Sequence, residues 1–96
     1  MNKYITIIDH LAGSERPFTF LENKGENKIE AVSFAHATSR KFSNIYNVKV
    51  AKKVGKNQYL PILSIYWDGG VSDLVKNNWN GWGKSYFFID PDMLET

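Results

Sequence analysis

The chain has 96 residues, a formal net charge of +2, 43% hydrophobic and 23% charged residues, and no cysteine. These values fit one globular domain and exclude a disordered chain, a disulfide framework and a cysteine-ligated zinc site. A domain this small holds one compact core, and no apolar run approaches the ~18 residues of a membrane-spanning helix, so the expectation is a cytoplasmic protein with no membrane association.

Met1-Asn2-Lys3-Tyr4 leads straight into an alternating segment and lacks the charged and apolar regions of a secretory signal. Tyr4-Ile5-Thr6-Ile7-Ile8 is β-branched and aromatic and reads as a first strand. Gly13 and Ser14 signal a turn, and Pro17-Phe18-Thr19-Phe20-Leu21 reads as a second strand that closes a hairpin. Asn27, with Glu30 three residues later, is a capping-box start for a helix. Ala31, Phe34, Ala35, Thr38 and Phe42 then recur on one helical face, and Ser43-Asn44 is the expected end. Val48–Val54 is a third strand, and Gly55-Lys56-Asn57 a turn. Tyr59–Trp67 is apolar on both faces and reads as a central strand, although Pro61 asks for an edge or a bulge. Val71, Leu74, Val75 and Trp79 are spaced for a short second helix. Tyr86–Ile89 is a last strand, and Asp90-Pro91-Asp92 is placed to cap a final helical turn. The expected fold is α+β: a mostly antiparallel sheet in the order β-β-α-β-β-α-β, with one main helix packed on one face, all within residues 1–96.

Charge is distributed unevenly. Residues 31–67 contain Arg40, Lys41, Lys49, Lys52, Lys53 and Lys56 and no acid, whereas both flanking thirds are acid-rich. Such a block either faces a polyanionic partner or is neutralised when folding brings the acidic ends beside it. Lysines on a strand face can contact phosphates while Tyr46, Tyr59 and Tyr66 stack on bases. The glycine-aromatic signature of an RNA-recognition module is missing, so nucleic-acid contact would be led by the backbone. Trp79 and Trp82, beside Asn80, Gly81 and Gly83, either anchor a partner or cover a sheet edge.

The remaining motifs carry no chemistry. Gly83-Lys84-Ser85 lacks the glycine that a phosphate loop needs four residues earlier, where Asn78 stands, and a strand rather than a helix follows. His10 and His36 are the only histidines, and spacing does not join either to Asp9 or Ser39 in a triad. Asp90 and Asp92 suit a helix cap better than a cation. No catalytic residue, metal site or cofactor is expected.

Arg16-Pro17-Phe18-Thr19-Phe20, Ile29-Glu30-Ala31-Val32-Ser33-Phe34-Ala35 and Tyr46-Asn47-Val48-Lys49-Val50 together resemble the hairpin, helix and hairpin layout of very small phage and mobile-element proteins. Some small anti-CRISPR proteins are similar in size and order over residues 4–67. The resemblance is one of architecture, and it implies stoichiometric inhibition of a host defence nucleoprotein complex. The leading expectation is therefore a non-catalytic binding protein whose partner is a protein or ribonucleoprotein with an acidic surface. Its contact residues would be Arg40, Lys41, Lys49, Lys52, Lys53 and Lys56, with Trp79 and Trp82 as anchors. The alternatives are a small regulator that binds DNA or RNA through phosphates and, third, a small nuclease toxin using His10 or His36. The aromatic content leaves a homodimer open.

Overall fold

The computed structural model describes residues 3–13, 17–42, 44–66, 68–77 and 87–95. They form strands β1 (Tyr4–His10) and β2 (Phe18–Asn23), helix α1 (Lys28–Ser39), and strands β3 (Ile45–Gly55), β4 (Gln58–Ile65), β5 (Val71–Asp73), β6 (Phe87–Phe88) and β7 (Leu94–Glu95). The strands join one sheet in the order β5-β4-β3-β1-β2-β7, with β6 paired to β4 off that path. All pairings are antiparallel except β2 with β7. The α+β class and the single main helix are as expected from the sequence.

The helix begins where the capping residues place it. The Glu30 N–H donates to Asn27 Oδ1 at 2.9 Å, and the Glu30 carboxylate accepts from the Glu26 N–H at 3.2 Å, one residue before the cap. These contacts satisfy donors that the first helical turn leaves without an intrahelical acceptor. Of the expected apolar face, Ala31 and Ala35 are buried, and Phe34, Thr38 and Phe42 are half-buried. The two alanines pack on Tyr4, Ile8, Leu21, Val48, Val50, Leu63 and Ile65.

Two short side chains let helix and sheet approach closely, and one buried amide fixes the approach. Asn23, at the end of β2, has no solvent exposure. Its Nδ2 donates to Thr6 Oγ1 at 2.8 Å and to the Ala31 carbonyl at 2.9 Å, and its Oδ1 accepts from the Gly25 N–H at 2.8 Å. One side chain thereby ties β1, the β2–α1 connection and the helix together.

The opposite face of the sheet is covered over part of its length. Ile5, Ile7, Ala51, Tyr59 and Ile89 form its cluster, with Phe18, Phe20 and Leu94 packed against it. Towards the other end the same face carries Asp9, Asn47, Lys49, Ser64 and Ser72. Cross-strand pairing sets Lys49 opposite Ser64, Ser64 opposite Ser72, and Asp9 opposite Asn47.

Pro61 is accommodated in the ways its chemistry demands. Val50 pairs with Leu63 and Ala51 with Pro61, so Ile62 is an extra residue in a bulge. On its other side β4 pairs with β6 at Gln58–Tyr59 and with β5 at Leu63–Ile65, and Pro61 falls between them. The β3–β4 turn is Lys56-Asn57, with Asn57 at φ 56°.

The expected second helix is corrected. Val71–Asp73 is a strand, and residues 74–77 are a turn. The Tyr66 N–H donates to the Gly70 carbonyl at 2.8 Å, the Gly70 N–H to Asp68 Oδ1 at 2.8 Å, and Gly69 takes φ 90°. This tight reversal lays the chain against the open hydrogen-bonding edge of β4, whose backbone groups need partners. Asp73 Oδ1 then accepts from the Lys76 N–H at 3.0 Å, which stabilises the turn. Of the apolar positions that suggested a helix, Leu74 is buried whereas Val71 and Val75 are exposed. Pro91–Met93 is a single 3-10 turn with Pro91 leading it as expected, but the Asp90 side chain makes no capping bond.

Gly25 marks the tightest point of the helix–sheet junction. A Cβ there would meet the backbone of Glu30 and Ala31 inside 3.0 Å. Gly25→Ala is expected to cost about 3 kcal/mol in urea unfolding, because backbone rather than a movable side chain must give way. A change below ~0.5 kcal/mol would show that the junction is looser than described.

Candidate functional site

The basic block does not fold into one face. Arg40 is the C-cap of α1 and lies beside His36, Ser39, Tyr46 and Tyr66. Lys41 shares a hollow with Lys24, Glu22 and Glu95, where opposite charges balance. Lys52 and Lys53 lie at the other end of the sheet, near the N-terminus of α1, about 17 Å away along the helix axis at 1.5 Å per residue. There they meet Lys3 and Lys28, with Glu26 the one acid among the lining residues. Lys56 is exposed in the β3–β4 turn. Trp79 and Trp82 lie outside the described residues.

Lys49 is a correction to the expected basic surface. It is only 4% exposed and lies in the sheet, not on a solvated face. Its ammonium donates to Asn47 Oδ1 at 2.8 Å and lies 3.4 Å from Asp9 Oδ2. Burial pushes the Lys49 pKa below its ordinary value of 10.5, and the Asp9 charge and hydrogen bond oppose that shift. Tyr59 is likewise excluded from stacking, since it is buried in the lower cluster, whereas Tyr46 and Tyr66 are 63% and 42% exposed.

Two hollows meet at Tyr46, Asn47 and Tyr66. The first, about 250 Å³, is lined by His36, Ser39 and Arg40 from the helix end and by Ile45, Val48 and Ile65. The second, about 340 Å³, opens on the other face of the sheet over Asp9, Lys49, Ser64, Ser72, Leu74 and Asn77. Ser64 is 2% exposed, and its hydroxyl has no hydrogen-bond partner among the described residues. A buried hydroxyl left in that state costs about 1–3 kcal/mol. Five polar side chains in adjoining sheet positions, one of them without a partner among the described residues, are a poor solution for packing and a good one for holding a polar ligand.

The His10 ring and the Ser39 hydroxyl are otherwise engaged. His10 Nε2 is 2.8 Å from Thr19 Oγ1, and its ring packs edge-on against Phe42. The Ser39 hydroxyl donates to the His36 carbonyl at 2.8 Å. Asp9 faces Lys49 on the opposite side of the sheet from His10. Among the described residues, no three or more His, Asp or Glu side chains gather in a way that could hold a metal ion, and no helix is long and apolar enough to cross a membrane.

Sequence reasoning named Tyr46, Tyr66 and Arg40 but missed Asp9, Asn47, Ser64, Ser72 and Asn77. The signal was present as polar residues at alternate positions within Ile7–Asp9, Asn47–Lys49 and Leu63–Ile65, where an all-apolar strand face would have packed. Comparison with known proteins finds no matching family model, no matching curated protein and no matching solved structure.

The buried pair has a pH signature. Because the folded-state pKa of Lys49 is depressed, the unfolded chain binds more protons between that pKa and 10.5. Stability contributed by this group therefore rises with pH across that window. Lys49→Met is expected to remove the rise and to leave stability at pH 7 within about 1 kcal/mol of the parent, or above it. Asp9→Asn, which strips the buried ammonium of its counter-charge, is expected to cost about 2 kcal/mol, moderated by the partial exposure of Asp9. Urea unfolding from pH 7 to 9.5 measures both. Equal losses in the two variants would contradict the assignment.

Proposed function

We propose that this protein is a non-catalytic binding protein that docks through the end of the sheet marked by Tyr46, Tyr66 and Arg40. The observation that carries the reading is the exposure of two tyrosines beside an arginine. Tyrosine and arginine dominate binding energy at protein interfaces, since they offer large contact area, hydrogen bonding and little entropy loss. The architectural resemblance to anti-CRISPR proteins supports a host defence nucleoprotein complex as the partner and the cytoplasm as the place of action. An acidic partner surface suits Arg40 and, at the far end of the sheet, the Lys3, Lys28, Lys52 and Lys53 cluster.

The separation of Arg40 and Lys41 from Lys52, Lys53 and Lys56 weighs against a regulator that tracks a phosphate backbone along one continuous basic strip. The burial of Lys49 weighs in the same direction.

The test is capture of purified host defence complexes by the tagged chain, with affinity then measured on the complex retained. The Tyr46→Ala, Tyr66→Ala double variant is expected to bind at least ~30-fold more weakly, in keeping with two interface anchors, with its unfolding midpoint unchanged. Lys52→Glu, Lys53→Glu, Lys56→Glu is expected to lose less than tenfold. The reading fails if the lysine variant loses binding and the tyrosine variant keeps it.

A further inference from the structure

We propose that the hollow over Asp9, Asn47, Lys49 and Ser64 is a binding site for a guanine base. The proposal goes beyond the docking function and stands without it. It begins from Ser64, a hydroxyl 2% exposed, unpartnered among the described residues and lining a hollow of about 340 Å³. That volume lies at the small end of ligand pockets and accommodates a single ring system.

The lining selects the chemistry of the occupant. A free anion would meet the Asp9 carboxylate, and a cation would meet the Lys49 ammonium, so neither simple ion is favoured. A neutral ligand that presents adjacent donors to the carboxylate avoids both conflicts. The rim adds a requirement, because Tyr46 and Tyr66, both exposed aromatic side chains, line the same hollow. A flat heteroaromatic ring with a polar edge fits this combination, as bases stack on aromatic side chains.

Among nucleobases, guanine alone carries two adjacent N–H donors, N1–H and N2–H, beside a carbonyl acceptor, O6. A carboxylate accepts two parallel hydrogen bonds. Asp9 Oδ1 would accept from one of the two donors, and Oδ2, 3.4 Å from the Lys49 ammonium, keeps a lone pair for the other. O6 would then accept from the Ser64 hydroxyl or the Asn77 amide, both of which line the hollow. Adenine, cytosine and uracil each offer Asp9 a single donor flanked by an acceptor, which repels the second carboxylate oxygen. The hollow that shares Tyr46, Asn47 and Tyr66 holds Arg40 and His36 on the other face of the sheet.

The base can belong to a free guanine nucleotide or to a single strand. The experiment is calorimetric titration of the full chain with GMP, AMP, CMP and UMP, and with a uridine hexanucleotide with and without one guanosine. GMP is expected to bind at least roughly fivefold more tightly than AMP, the discrimination of one bidentate contact. Asp9→Asn is expected to erase that preference. Ser64→Ala removes a hydroxyl that has no partner among the described residues, so it keeps the chain folded, and it is expected to weaken GMP roughly two- to tenfold. A guanosine-bearing strand at least tenfold tighter than GMP identifies a strand as the source, and equal or tighter GMP identifies a free nucleotide. Absence of binding by every guanine ligand, equal affinity for all four bases, or unchanged guanine affinity in both variants would overturn the proposal.

Discussion

The structure turns on the side chain of Asn23. It is buried without exposure, and both of its N–H donors and its carbonyl oxygen are used, towards Thr6, the Ala31 carbonyl and the Gly25 N–H. A buried amide is tolerable only when satisfied, so this network has one geometry that works and many that do not. Because the partners come from β1, the β2–α1 connection and α1, a single residue sets where the helix starts relative to the sheet. The absence of a Cβ at Gly25 and the small size of Ala31 and Ala35 allow the close approach that this hydrogen bonding requires.

That anchoring has a consequence at the far end of the helix. With its N-terminus fixed beside Tyr4 and Lys52, α1 runs towards the start of β3 and delivers His36, Ser39 and Arg40 beside Tyr46 and Tyr66. The helix packs on one face of the sheet over β1, β2 and β3, whereas the other face changes character along its length. Near β7 it is apolar, and near β5 it carries an ion pair, an amide and an unsatisfied hydroxyl. Stability would be better served by apolar side chains at those positions. That polarity is the basis on which the region is proposed as a binding site.

Much of the architecture was legible in the chain because local and tertiary preferences agree. Asn27 and Glu30 announced the helix start, Gly55 and Asn57 the β3–β4 turn, and the alternation of Tyr4–Ile8 a buried strand. The segment after Gly70 was not legible, because helical spacing of Val71, Leu74 and Val75 competes with an unpaired edge of β4, and edge pairing wins. Charge misled for a related reason. Lys49 stands in a basic run, but strand alternation turns it inward towards Asp9, forty residues away in sequence, while Lys52 and Arg40 diverge to opposite ends. Ser64 lies within Tyr59–Trp67, a segment that reads as apolar on both faces, and only the cross-strand register reveals that it sits opposite Lys49.

The central claim is that binding is concentrated where Tyr46, Asn47 and Tyr66 join two hollows, and not on the lysines of the β3–β4 turn. The most direct measurement is a residue-resolved amide titration by heteronuclear NMR, adding GMP or the captured partner to the labelled chain. The account predicts that the largest shifts fall on Asp9, Tyr46, Asn47, Ser64 and Tyr66, with Lys52, Lys53 and Lys56 unmoved. Shifts concentrated at Lys3, Lys28, Lys52 and Lys53, with the tyrosine end silent, would contradict it.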